Sequence, residues 1–410
     1  MTFSELGLPA KLVARLAAQG LDAPTPIQRG AIPHALAGRD VLGLAQTGTG
    51  KTAAFGLPIV QALAADQRRP APKTASALIL APTRELAAQI VDSLTAFSGG
   101  RGGLRIALVV GGKSINPQIA RLERGTDVLV ATPGRLIDLI DRRAVDLGET
   151  GFLVLDEADQ MLDLGFIHAL RRIAPLLPAE RQTMMFSATM PKQMAELARA
   201  YLRNPARVEV APPGRAADKV AQSVHFVPGT DKLSLLIDLL DAHRDERALV
   251  FARTKRGAER LMERLAKTGF AAASIHGNKS QGQRDRALSG FRDGTVRVLV
   301  ATDVAARGID IPGVENVYNF ELPDVPENYV HRIGRTARAG AEGRAVALCA
   351  EEEAGALRAI ERVLGTPIPV AGGTPWRGGA DPAAKAPKRR ARGRRSGRPS
   401  AGRKTSRNAA

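Results

Sequence analysis

Short β-prone runs recur along this 410-residue chain, each followed by a stretch of helical pattern, and few folds accommodate that alternation. VLGLA, SALILAP, RIALVVG, DVLVATP, FLVLDE and TMMFSAT mark the first half; VHFVP, ALVFART, AAASIHG, VRVLVATD, NVYNFEL and RAVALC mark the second. Runs that are apolar throughout are buried on both faces, and strands that alternate with helices are joined by crossovers. The pattern therefore predicts an α/β chain of mainly parallel sheets with helices on both faces. The pentapeptide VLVAT occurs at residues 128–132 and again at 298–302, each time before a polar, glycine-containing loop. Two similar α/β units would produce that repeat, as would chance among the few residue types that buried strands use.

Pro212, Pro213 and Gly214 break helix and strand between the halves. A first lobe is expected over residues 1–210, a linker over 211–219 and a second lobe over 220–368, in keeping with a length that suits two cores. Beyond them, 369–410 reads as a disordered tail. Of the formal net charge of +18, the segment from Ala371 onward holds twelve Lys and Arg against Asp381 alone, +11, which leaves +7 for the rest. A basic tail on a mildly basic body suits a polyanionic partner, or serves solubility alone. Cys349, the single cysteine, excludes an intrachain disulfide, fits a reducing cytosol and reads as a small core residue. The N-terminal segment reads as an amphipathic helix rather than an export signal, and no run is long enough to span a membrane. Six scattered histidines argue against a zinc site, and His276 at a strand end is not read as catalytic.

In open α/β sheets, chemistry sits on the loops beyond the carboxyl ends of the strands. One such loop is AQTGTGKT, from Ala45 through Gln46, Thr47, Gly48, Thr49, Gly50 and Lys51 to Thr52. It lies between a strand and a helix, the context a phosphate loop requires, although Ala45 replaces the first glycine of G-x-x-x-x-G-K-[ST]. Gly48 and Gly50 let backbone N–H groups face phosphate oxygens, Lys51 would reach the β- and γ-phosphates, and Thr52 would ligate Mg²⁺. In FLVLDEADQML two carboxylates follow a strand at once. Asp156 is placed to hold Mg²⁺ directly or through water, and Glu157 to orient and deprotonate the attacking water.

With PTPIQ at 24–28, PTREL at 82–86, Gly111-Gly112, TPGR at 132–135, DEAD at 156–159 and SAT at 187–189, the chain resembles the DEAD-box RNA helicases. VFART at 250–254, QGQR at 281–284, ATDVAARGID at 301–310 and HRIGRTAR at 331–338 extend the resemblance over roughly residues 3–345. The basic extension resembles the bacterial RhlE-like branch. The resemblance implies two RecA-like lobes and an RNA-stimulated ATPase that binds RNA by its backbone, opens short duplexes and uses ATP with Mg²⁺. It implies that Gln28 reads the adenine edge, that Phe3 serves the nucleotide or anchors the first helix, and that Leu21 stands where an aromatic often packs on the base. Arg335 and Arg338 would be arginine fingers, with Ala337 where glycine is usual, and Asp310 would hold the ribose. Pro82, Thr83, Arg84, Gly112, Thr132, Pro133, Gly134, Arg135, Gln281, Arg284 and Thr302 would hold the RNA backbone. Ser187, Thr189, Asp303, Arg307 and His331 would couple the two sites. A cytoplasmic monomer is expected, acting on single strands and short duplexes, with ribosome precursors or the mRNA-decay machinery as candidate settings. Two rivals are an RNA chaperone driven by the tail and a DNA translocase of the same superfamily.

Overall fold

The computed structural model describes residues 1–376 except 47, 67, 101–102, 211–219, 307–312 and 338–341. The linker expected over 211–219 therefore lies outside the described residues. The first sheet comprises β1 (Val41–Leu44), β2 (Ala75–Leu80), β3 (Ile106–Val109), β4 (Thr126–Ala131), β5 (Phe152–Leu155), β6 (Gln182–Ser187) and β7 (Ala206–Glu209). The second comprises β8 (Val220–Phe226), β9 (Ala248–Phe251), β10 (Ala272–Ile275), β11 (Val298–Ala301), β12 (Asn316–Asn319), β13 (Gly343–Cys349) and β14 (Val370–Gly372). All the pairings are parallel.

The strand orders are β3-β4-β2-β5-β6-β1-β7 and β10-β11-β9-β12-β13-β8-β14, so each strand of one sheet has a counterpart seven strands later in the other. The VLVAT repeat follows this duplication, because its two copies fall on β4 and β11, each second from its edge. Successive residues of β4 feed opposite cores: Val128 and Val130 pack with Ile27, Phe55 and Phe186, whereas Leu129 and Ala131 pack with Leu136, Leu155 and Met185. The second sheet divides likewise, Leu249 and Phe251 on one face and Ala248 and Val250 on the other. Two-sided burial is why these strands read as continuous apolar runs.

The segment from residue 370 to 376 departs from the expected tail. Residues 370–372 form β14 on the free edge of β8, and the Trp376 indole N–H donates to the Cys349 carbonyl at 3.0 Å. Backbone pairing and one docked indole outweigh a composition rich in Gly and Pro. Cys349 is fully buried, and burial pushes its thiol up to about 12, as expected of a core residue. Helix Ala10–Ala17 near the N-terminus buries Leu12 and Leu16. Among the described residues, no helix is long and apolar enough to cross a membrane.

Candidate functional site

The loops after β1, β5 and β6 carry the phosphate-loop, DEAD and SAT segments to one end of the first sheet. Gly50 caps helix Lys51–Ala65 at φ 88°, and Gly48 is also left-handed at φ 83°; only glycine takes such angles without strain. Gly50 is constrained twice, since a Cβ there would lie 2.4 Å from the Gln28 amide nitrogen. Gln28 donates to the Gly50 carbonyl at 3.0 Å and accepts from the Thr25 N–H at 2.9 Å. The expected adenine reader is thus tied to the phosphate loop itself, with one N–H and one lone pair of its amide to spare. Thr49 donates to the Gln46 carbonyl at 2.8 Å, and the buried Lys51 ammonium to the Ala45 carbonyl at 3.1 Å. Thr52 is half-buried at the second position of the helix.

Phe3 lies in the core. It is 2% exposed and packs with Leu6, Leu12 and Leu16, the anchoring contacts that one of its two expected roles requires. Leu21 is 38% exposed, an apolar surface where the family often has an aromatic.

Asp156 is buried and accepts the Glu157 N–H at 3.0 Å. Burial pushes its carboxyl up to about 6, against the pull of Lys51 and with a further push from Glu157. Glu157 is left-handed at φ 49°, which costs about 1–2 kcal/mol for a residue with a Cβ and concentrates strain at the acidic pair. Asp159 of the same tetrapeptide accepts the N–H groups of Ala188 and Thr189 at 3.1 and 2.9 Å and the Thr189 hydroxyl at 3.0 Å. Ser187 donates to the Thr189 carbonyl at 2.7 Å. The DEAD and SAT segments are therefore one hydrogen-bonded unit joined by Asp159, a residue to which the motif alone assigned no role.

The second lobe closes over this unit. Lys51, Glu157, Asp159 and Thr189 line a cavity of about 430 Å³ together with Glu327, Asn328 and His331, and Gln46 adjoins it beside Val330 and His331. Arg335 is buried next to His331, whose carbonyl accepts its Nε–H at 3.2 Å. Arg332, which the sequence did not single out, anchors this region. Its Nε and one terminal nitrogen reach the two Asp303 oxygens at 2.5 and 2.8 Å, and the other terminal nitrogen donates to Asn319 and to the Glu321 carbonyl. The guanidinium carbon also lies 4.8 Å from the Phe251 ring centre. Asp303 is thus held by Arg332 within the second lobe. Thr47, Arg307, Asp310 and Arg338 lie outside the described residues. Ala337, where glycine is usual, is left-handed at φ 56°.

A second opening between the lobes shares no residue with the first. Pro82, Thr83, Arg84, Gly111, Thr132, Gly134 and Arg135 line it from the first lobe, and Arg284 and Val304 from the second. Thr83 and Thr132 cap helices Arg84–Ser98 and Pro133–Asp141, whose N-termini are anion sites by their own N–H groups. Gly112, at φ 73°, leaves room for Arg84, whose guanidinium a Cβ would overlap. Thr302 is buried at the end of β11 and Pro133 opens the second of those helices.

Gln281 and Arg284 have partners on the first lobe. Arg84 donates to the Gln281 amide oxygen at 3.0 Å, and Glu85 pairs with Arg284 at 2.9 Å and with the Gln281 amide at 3.2 Å. These two side chains bridge the lobes through Glu85, and Arg284 does so while lining the groove. His276 is buried and bonded to Glu259 at 2.8 Å, a structural role. Among the described residues, no group of three His, Cys, Asp or Glu could hold a metal.

The model of the DEAD/DEAH box helicase family matches residues 25–197, and that of the helicase conserved C-terminal domain matches residues 231–340. An ATP-dependent RNA helicase CshA of Listeria monocytogenes is 44% identical over 359 residues, 88% of this chain and 68% of that protein. S. cerevisiae Dbp5 bound to RNA and ADP BeF3 superposes with a TM-score of 0.80 at 30% identity, over 90% of this chain and 95% of that one. A DEAD box protein from the hyperthermophile Methanococcus jannaschii is 36% identical over 90% of this chain and 99% of that one, with a TM-score of 0.52.

Proposed function

The chain belongs to the DEAD/DEAH box helicases, and on that footing we propose how its residues divide the work of an ATP-dependent RNA helicase. One observation carries the reading: Lys51, Glu157 and Asp159 of one lobe share a cavity with Glu327 and His331 of the other. Chemistry in such a cavity depends on whether the lobes meet.

The phosphate-loop N–H groups and Lys51 bind the β- and γ-phosphates, and Gln28 selects adenine while bracing Gly50. Asp156 and Thr52 fit Mg²⁺, a hard cation that takes few protein ligands and completes its shell with water and phosphate oxygens. A buried carboxyl raised by desolvation is one that a cation would stabilise. Bound there, Mg²⁺ supplies charge neutralisation at the transferring phosphoryl group. Glu157 takes the proton from water, Arg335 and Arg338 approach from the second lobe, and Asp310 holds the ribose. Thr83, Thr132, Arg84, Arg135 and Thr302 serve the RNA backbone without reading bases. Asp159, Ser187, Thr189 and His331 transmit nucleotide state.

The TM-scores support a closed arrangement. A relative with higher identity superposes less well than Dbp5 with RNA and ADP BeF3, as similar lobes set differently would. RNA then binds the closed form more tightly than the open one, which is how ATP does work on it. The discriminating experiment compares ATPase stimulation by RNA and DNA of equal length. Stimulation by RNA alone is expected; equal stimulation contradicts the reading and favours a DNA translocase. Deleting residues 371–410 should weaken unwinding and spare RNA-stimulated ATPase, whereas a tail-driven chaperone would lose its activity outright. We place the chain in the cytoplasm as a monomer, with ribosome precursors or mRNA-decay assemblies as its settings.

Two further results are expected. The Asp156 carboxyl lies above its ordinary value of 3.8, at about 6, so folding takes up a proton between those values. Stability is then lost as pH rises through that window. Above it the ionised group is a net cost to folding. Asp156→Asn should therefore melt higher than the parent at neutral pH, flatten that slope and abolish Mg²⁺-dependent turnover; an unchanged slope contradicts the assignment. For the bridge between lobes, a double-mutant cycle of Glu85→Ala and Arg284→Ala, read as the RNA concentration for half-maximal ATPase, should give a coupling of about 1–3 kcal/mol. Additive losses would mean that Arg284 acts on RNA alone.

A further inference from the structure

The shared strand order gives every loop of the first sheet a counterpart in the second. β8 stands where β1 stands, between the counterparts of β6 and β7. The segment leaving β1 is AQTGTGKT, and Lys51 opens the next helix; the segment leaving β8 is VPGTDKLS, residues 227–234, and Lys232 opens helix Lys232–Asp241. Both lysines are buried, 6% and 4% exposed. Both donate to a main-chain carbonyl, Lys51 to Ala45 at 3.1 Å and Lys232 to Phe320 at 2.9 Å.

Lys232 has in addition its own anion. The Glu353 carboxylate, 5% exposed, pairs with the Lys232 ammonium and with Arg253 at 3.0 Å. It also accepts the N–H groups of Leu322 at 3.0 Å and Ala350 at 3.1 Å. Leu322 lies in the loop after β12 and Ala350 directly follows β13, the counterparts of β5 and β6, whose loops carry the DEAD and SAT segments. Two cations and two backbone N–H groups converging on two oxygens are the donors that a phosphate-binding loop presents. The rest of a nucleotide site is missing: Leu233 stands where Thr52 offers a hydroxyl, and Gly229 alone answers Gly48 and Gly50.

We propose that the second lobe retains the oxyanion cradle of a phosphate loop and fills it from within. Glu353 stands as a built-in carboxylate where the first lobe takes a nucleotide phosphate. The ligand class of the cradle is a small oxyanion, carboxylate or phosphate. Its occupation by the chain itself closes the second lobe to nucleotide and ties together the loops after β8, β9, β12 and β13. The inference rests on the fold and the contacts of Glu353, independently of the roles proposed for the first lobe.

The test is anion rescue of the full-length Glu353→Ala variant, with acetate, formate or inorganic phosphate compared against chloride at matched ionic strength. In chloride the variant should melt about 6–20 °C below the parent, because Lys232 is left buried without its partner. Acetate, formate or phosphate should raise its melting temperature saturably, with no such response in the parent. Adding Lys232→Met should restore stability in chloride and abolish the response. A response no larger than the parent's, or one that survives Lys232→Met, overturns the proposal. If Glu353→Ala is unfolded in chloride, refolding yield is read instead: recovery in the oxyanions but not in chloride supports the cradle, and equal failure in both overturns it.

Discussion

Glu157→Gln should bind ATP and RNA as the parent does and hydrolyse ATP about 10²–10⁴-fold more slowly with RNA present, the usual contribution of a positioned general base. The substitution keeps the volume and hydrogen-bonding reach of a buried side chain and removes only its ability to take a proton. Glu157 sits at φ 49° and lines the same cavity as Lys51 and His331. One of the pushes that raise the Asp156 carboxyl comes from Glu157. The variant should therefore hold Mg²⁺ and nucleotide at least as firmly as the parent and accumulate as a stalled ATP- and RNA-bound complex. Equilibrium binding and single-turnover hydrolysis measured side by side check both halves. Turnover at the parental rate would move the base role to another residue.

Arg335→Ala should lower RNA-stimulated turnover by about 10³–10⁵-fold, the range for an arginine delivered across a cleft onto a transferring phosphoryl group. ATP affinity without RNA should hardly change, because under the proposed mechanism Arg335 meets the nucleotide only once the lobes close. Arg335→Lys should not rescue it, since an ammonium lacks the planar fork. The neighbouring Arg332 provides the control. Its guanidinium donates to both Asp303 oxygens, to Asn319 and to the Glu321 carbonyl, so Arg332→Ala should lose stability as well as turnover. An Arg335→Ala variant that keeps RNA-stimulated turnover would remove the coupling between closure and hydrolysis from the account.

The sequence shows most of this architecture because buried parallel strands leave a plain signature. Each of the twelve apolar runs contains one observed strand, and the repeated VLVAT lands on matching strands of two sheets with one topology. The two strands that were not anticipated, β7 and β14, are the same strand in each lobe. Each is an edge strand with exposed positions, so neither has an apolar run to betray it, and β14 is further masked by Gly and Pro in PIPVAGGTPW. The nucleotide loops were legible because their chemistry is local. The partnership of Arg84 with Gln281 was not, because those residues are 197 positions apart and meet only when the lobes do. Phe3 is ambiguous in sequence for a different reason: an aromatic suits a core and a purine equally, and its packing with Leu12 and Leu16 appears only in the fold. Glu353 lies in the run EEE, which reads as a solvated acidic turn until the fold places Lys232 against it.

Nucleotide and RNA together should hold the lobes as they stand here, with His331 and Glu327 lining one cavity with Lys51 and Glu157. Single-molecule energy transfer between one dye on each lobe tests it most directly. ADP with beryllium fluoride plus an oligoribonucleotide should collapse a broad distribution of distances into one short distance that neither ligand produces alone. If the distribution with both ligands matches that of the free protein, the lobes do not close on their substrates and the account fails.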